Sequence, residues 1–258
     1  MRMDEELHEY LRFARETAYQ AGRLTLEYFN KGVVADAKAD GSPVTIADRK
    51  AEELIRRAVE QRYPDHAVLG EEFGESRAGA SRRWIVDPID GTKSFIHGVP
   101  LYGVLLGLEI DGVVEVGVAY FPALEEMISA ASGLGCWWNG KPAHVSTLDR
   151  LDKGVVCFTD LGGFWQNERW PAFERLARRA SIRAGWSDAY GYMLVASGRV
   201  EVMLDPVMAV WDCGPFPPIF REAGGYFGDW KGNPTIYGQE AVATSLALKD
   251  EVIGLLNG

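Results

Sequence analysis

Cysteine is scarce in this chain. Cys136, Cys157 and Cys213 are its only three, and no two form a C-x-x-C pair. That excludes a disulfide framework and a thiolate zinc site, and it makes a reducing cytoplasm the expected compartment. Basic residues are in the minority, 27 against 37 acidic ones, for a formal charge of −10. A field of that sign repels phosphate backbones and anionic membranes, so no nucleic-acid or membrane partner is expected. Long apolar runs are also missing. None approaches the roughly 18 residues of a membrane span, and Met1 to Arg15 mixes acids and bases where a leader needs an apolar stretch. No Ser/Pro-rich linker, repeat or compositional break divides the chain, which predicts one compact unit over 1–258, with sub-layers of roughly 1–145 and 146–258. At 258 residues, 47% hydrophobic and 25% charged, the chain has the material for a substantial core. An acidic protein that handles a phosphorylated small molecule needs bound cations to reverse the local sign.

Periodicity places the elements. Leu7, Leu11, Ala14, Ala18, Ala21 and Tyr28 recur at helical spacing, predicting a helix that ends near Gly32. Ala47, Ala51, Leu54, Ile55, Ala58 and Val59 make a second helical stripe, opened by Thr45 and stopped by Pro64. Strand-like runs follow at 67–69 and 84–86, and Asp111-Gly112 between 101–110 and 113–121 is a strong hairpin signal. This half reads as helices on a largely antiparallel sheet. The second half alternates strand-like 155–158, helical 173–180, helical 189–197, strand-like 200–204 and helical 251–256. The whole reads as a layered α/β fold.

The chemistry concentrates in Trp84-Ile-Val-Asp87-Pro-Ile-Asp90-Gly91-Thr92, where an apolar strand runs into two acids, a proline and a turn. Asp87 and Asp90 can converge on one spot, with the Ile89 carbonyl beside them. Close carboxylates repel unless one protonates or a cation sits between them, and an all-oxygen donor set suits Mg²⁺. A surface turn is the simpler alternative. Other acids sit at the ends of apolar segments: Glu71-Glu72 after Leu69-Gly70, Asp212 after Trp211, and Asp48 three residues beyond Thr45. Thr45 and Asp48 also read as a capping box, Asp212 as an N-cap, and Glu71-Glu72 as a solvated pair.

Together these strings resemble the inositol monophosphatase superfamily. Gly41-Ser-Pro-Val-Thr45-Ile-Ala-Asp48, Gly70-Glu71-Glu72, Trp84-Ile-Val-Asp87-Pro-Ile-Asp90-Gly-Thr92 and Trp211-Asp212 match its motifs in order, type and spacing. Gly133-x-Gly135 leading to Asn139-Gly140, and Glu222-Ala-Gly-Gly225, agree with them. The resemblance implies an α-β-α-β-α sandwich, commonly a homodimer, that hydrolyses phosphate monoesters with two or three Mg²⁺ ions and is inhibited by Li⁺. It implies Glu71, Asp87 and the Ile89 carbonyl as ligands of a first metal, and Asp87, Asp90 and Asp212 of a second. Thr92, with Asp48 or Glu71, corresponds to the water-orienting group, and the Gly91 and Thr92 amides face the phosphate. One departure is Gly214-Pro-Phe-Pro-Pro218 after Asp212, which predicts a helix that becomes regular only beyond Pro218. Two other phosphate or metal motifs fail. Pro88 occupies the place of a nucleophilic aspartate of the haloacid-dehalogenase type, and Pro234 that of the glycine of a calcium loop over 229–240.

Within the superfamily, Gly91-Thr-Lys-Ser-Phe-Ile-His-Gly-Val-Pro-Leu-Tyr-Gly103, Gly185-Trp-Ser-Asp188-Ala-Tyr-Gly-Tyr192 and Leu204-Asp205-Pro resemble the histidinol-phosphate phosphatase branch. That substrate carries a primary ammonium and a titratable imidazole. Asp188 and Asp205 are therefore the candidate substrate-binding carboxylates, with an N-cap role as the alternative for Asp188. Trp186 is the candidate pocket wall, while His97, Trp137, Trp138 and Arg183 read as structural or surface residues. A broad-substrate inositol monophosphatase-like enzyme is the other enzymatic reading, and a non-catalytic metal-binding relative the reading from a different class.

Overall fold

The computed structural model describes residues 2–38 and 41–258. The chain opens with helix α1 (Arg2–Leu26), a short hairpin of β1 (Asp36–Ala37) and β2 (Pro43–Val44), and helix α2 (Ile46–Arg62). Eight strands then build the first sheet: β3 (Ala67–Gly70), β4 (Gly74–Ser76), β5 (Arg82–Asp90), β6 (Gly103–Ile110), β7 (Val113–Phe121), β8 (Glu126–Ala131), β9 (Cys136–Trp138) and β10 (Lys141–Pro142). A five-residue helix α3 (Thr92–Ile96) follows β5. The strand order is β10-β9-β8-β7-β6-β5-β3-β4, antiparallel throughout except for β3 beside β5. The second half adds β11 (Val155–Cys157), α4 (Leu161–Gln166), α5 (Trp170–Arg179), β12 (Ile182–Ala184), α6 (Asp188–Ala196), β13 (Val202–Asp205), α7 (Val210–Cys213), α8 (Phe216–Ala223), β14 (Gly225–Gly228), β15 (Ala241–Ser245) and α9 (Lys249–Asn257). Its sheet runs β12-β11-β13-β15-β14.

Five layers result. Helices α1 and α2 cover one face of the first sheet through Leu7, Leu11, Ala14, Ala18, Ala21 and Ile55, all buried. Helices α6 and α8 lie between the sheets, where Ile85, Leu105 and Phe121 meet Tyr192, Met203, Phe216 and Phe227 in a shared core. Helices α5 and α9 close the outer face of the second sheet. The α-β-α-β-α sandwich is the architecture expected.

Several boundaries differ from expectation. Helix α1 stops at Leu26 rather than near Gly32. The buried Thr25 hydroxyl donates to the Gly22 carbonyl and contacts Tyr102, and residues 27–31 continue as tight turns, with Asn30 at φ 58°. Strand β5 reaches Asp90, so the acids belong to the strand rather than to a turn after it. Helix α8 begins at Phe216, two residues before Pro218: the prolines occupy the first turn, where amides have no intrahelical partner. Asp111-Gly112 forms the expected tight hairpin, with φ 50° and 85°.

Candidate active site

Everything at the site starts from an irregularity in β5. On a regular strand, residues three apart point to opposite faces. Pro88 has no N–H for the ladder, and the register with β6 shifts between Asp87 (opposite Leu105) and Asp90 (opposite Gly103). This bulge aims both carboxylates the same way. Asp87 also accepts from the Ile89 amide at 3.0 Å, which sets its rotamer. Asp212 meets them from α7. It is the third residue of that helix rather than the N-cap of its alternative reading, and its Oδ2 accepts from the Ala209 amide at 2.8 Å. Ligand oxygens of Asp87, Asp90 and Asp212 lie within 4.8 Å of one another.

Among the described residues no salt bridge to the trio forms, and Lys38 offsets Asp212 only in part. Burial pushes Asp87 well above the usual carboxylate range, and the neighbouring Glu71, Asp90 and Asp212 add to it. Asp90 is raised by burial and then by Asp188 and Asp212, and Asp212 is raised to about 7, chiefly by burial. Hard oxygen donors so placed suit a divalent cation.

Glu71 stands directly after β3, close enough to Asp87 for its charge to add to the upward push on that acid. Its partner was not expected: Lys38, from the β1–β2 hairpin, places Nζ 2.6 Å from both Glu71 and Glu72. Burial works against that ammonium, and the two carboxylates outweigh it to raise the Lys38 pKa.

Behind the trio, Thr45 and Asp48 form the expected capping box, with the Thr45 amide 2.8 Å from Asp48 Oδ2. Asp48 does a second job. Its Oδ1 accepts from the Thr92 hydroxyl at 3.2 Å, and that hydroxyl also lies 3.1 Å from the Ile89 carbonyl oxygen. Fully buried Asp48 is raised by desolvation. Gly91 precedes α3 at φ 76°, and a Cβ there would fall 2.8 Å from Asp188 Oδ2.

Asp90, Asp212, Asp188 and Asp205 line one cleft of about 550 Å³, together with Ser42, Lys93 and Asp160. Asp188 is the first residue of α6, after the N-cap Ser187, and accepts from Ser94 at 2.5 Å. Asp205 accepts from the Thr159 amide at 3.3 Å and the Tyr192 hydroxyl at 3.2 Å; burial lifts it to about 7. A larger groove of about 1010 Å³, between α1 and the β8–β9 edge, contains none of these acids. Trp186 does not line the cleft, contrary to expectation. Half-exposed, it meets His97 edge to face, and His97 Nδ1 donates to the Lys93 carbonyl oxygen at 2.8 Å. Arg183 caps the end of α5, bonding to the carbonyls of Ala177 and Ala180.

The model of the inositol monophosphatase family matches residues 6–257. The chain belongs to that family. Its relatives include a histidinol-phosphatase of Chlorobaculum parvum, 45% identical over 91% of each chain, and one of Mycobacterium tuberculosis, 38% identical over 97% of this chain and 98% of the relative. A solved inositol monophosphatase from Zymomonas mobilis superposes with a TM-score of 0.88 at 29% identity, covering 97% of this chain and 98% of that one. The family is one of metal-dependent phosphatases, and the acidic trio is a donor set that can hold a metal.

Two supports escaped the sequence reading. Gly107 and Gly117 face each other across β6 and β7, and Cβ atoms there would fall 2.4 and 1.9 Å from the Gly214 and Pro215 carbonyl oxygens. These glycines let the α7–α8 turn sit on the sheet, which brings Asp212 to Asp87. Glu222 accepts from the Gly133 and Gly135 amides at 2.9 Å each, uniting two of the family strings. Only pairing information reveals either contact.

Proposed function

We propose that the chain is a Mg²⁺-dependent histidinol-phosphate phosphatase, hydrolysing L-histidinol phosphate to L-histidinol in histidine biosynthesis. The observation that carries the substrate class is the acidic wall. Asp188 and Asp205 line the cleft beyond the metal-binding trio, where a primary ammonium and an imidazole need negative partners. The relatives named histidinol-phosphatase support the same reading.

In this reading Glu71, Asp87 and the Ile89 carbonyl hold one metal, and Asp87, Asp90 and Asp212 another. Mg²⁺ held by these residues would supply an activated water and charge stabilisation for the departing alkoxide. The protein's own groups position the rest. Thr92 Oγ1 orients the water, and Asp48, held by its helix cap, keeps that hydroxyl in place and takes up proton density from it. Glu71 is the other acid that can serve Thr92 in this role. The Gly91 and Thr92 amides at the start of α3 face the phosphate. Substrate-side acids Asp188 and Asp205 orient the amino-imidazole end.

The resemblance further implies a homodimer, and the three buried free cysteines suit a reducing cytoplasm. The core shared by both sheets supports one unit over 1–258. Phosphate release from L-histidinol phosphate, inositol 1-phosphate and p-nitrophenyl phosphate, with Mg²⁺ and then with EDTA, tests the reading. Preference for L-histidinol phosphate, loss in EDTA and inhibition by Li⁺ are expected. Equal use of all three esters would favour the broad inositol monophosphatase-like activity, and full turnover in chelator would remove the metal mechanism.

A further inference from the structure

The two substrate-side acids, buried Asp205 and half-buried Asp188, already have partners. Asp205 receives a hydrogen bond on each oxygen, and Asp188 receives Ser94 while lying against Gly91. Asp160 differs. It lines the same cleft, is exposed, and among the described residues forms neither a hydrogen bond nor an ion pair. Although it precedes α4, it does not cap that helix.

Its position is nevertheless fixed. Asp160 follows the C-terminal end of β11, where β12 and β13 run parallel beside it, and ligands of open α/β sheets bind at such strand ends. Neighbouring Thr159 is pinned to both floor acids: its amide donates to Asp205, and its hydroxyl accepts from the Asp188 amide at 3.1 Å. The Thr159 carbonyl in turn accepts from the Trp186 amide at 3.0 Å. Gly162 leaves space for the carboxylate, because a Cβ there would fall 2.8 Å from Asp160 Oδ2. Gly162 has no positive φ that would otherwise require glycine.

We propose that Asp160 is a specificity-determining residue, the outer anchor for the primary ammonium of an amino-alcohol phosphate monoester. This rests on the histidinol phosphate reading above. Asp160 shares the cleft with Asp90 and Asp212 of the trio and is the one carboxylate lining it that has no protein partner among the described residues, so it is the acid there left open to pair with an ammonium. Because the contact is made with bound substrate and transition state alike, it acts on KM rather than on kcat.

The test compares L-histidinol phosphate with its desamino analogue, 3-(imidazol-4-yl)propyl phosphate, in the full-length Mg²⁺-loaded enzyme. Asp160→Asn is expected to raise KM for L-histidinol phosphate about tenfold, the scale of one charge-assisted hydrogen bond, with kcat and all constants for the analogue unchanged. Gly162→Ala, which displaces the carboxylate without removing it, should give a smaller rise with the same selectivity. Unchanged KM in Asp160→Asn, or an equal rise for both esters, overturns the inference while leaving the substrate reading intact. A wild-type enzyme that does not hydrolyse L-histidinol phosphate overturns the reading and this inference with it.

Discussion

Stripping the metal should make stability fall as pH rises, opposite to the behaviour of carboxylates held in ion pairs. Asp212 is raised from the ordinary 3.8 to about 7, so the metal-free folded state holds a proton that the unfolded chain releases. Its contribution is complete below 3.8 and lost as pH climbs through about 7. Between pH 5 and 7 the loss is about 2 kcal/mol, because the slope of about 1.4 kcal/mol per pH unit for one proton fades as the group approaches half-deprotonation near pH 7. For a chain of 258 residues that corresponds to a fall in Tm of roughly 4–8 °C. Asp87 and Asp90, raised in the same direction, steepen it. Asp205 is also raised to about 7 but lies outside the trio, so its slope persists with metal bound. Thermal melts from pH 5 to 8 in EDTA and in saturating Mg²⁺ therefore isolate the trio as the difference between two curves. Mg²⁺ should stabilise most at high pH, where the ligands give up their protons most readily. Parallel curves, or an EDTA curve that rises with pH, would show that these carboxylates do not share a desolvated site.

Asp90→Asn keeps an acceptor for the Ala189 amide, now at 2.7 Å, and should fold normally while kcat drops a hundredfold or more, about 3 kcal/mol of transition-state stabilisation; retained activity with lowered Tm would make Asp90 a structural residue only. Gly117→Ala drives a methyl into the Pro215 carbonyl, so it should cost about 1–3 kcal/mol in a urea melt and also weaken Mg²⁺ binding, because the α7–α8 turn that carries Asp212 must lift. Unchanged Mg²⁺ affinity would show that the turn does not position the aspartate.

The helical stripes, the Asp-Gly hairpin and the capping box were legible in the sequence because each depends on neighbours a few residues away. So were the identities of the acids, since Asp87, Asp90, Glu71 and Asp212 end apolar segments and carry a family pattern. Element ends were less legible: Thr25 turns back on its own helix, and prolines start α8 instead of delaying it. The convergence itself needed the fold. The sequence allowed Asp87 and Asp90 to converge across a Pro-containing turn, whereas the fold joins them within β5, where only pairing with β6 places the bulge that turns both to one side. Asp212 reaches them because two glycines far away in the chain admit the α7–α8 backbone. Lys38, Thr159 and Asp160 have no local signal, because their roles come from partners 29 to 46 residues distant or from an open cleft. Sequence determined which groups are chemically able to act; the tertiary structure decided which of them share a site, because proximity across strands is a property of register and packing rather than of spacing along the chain.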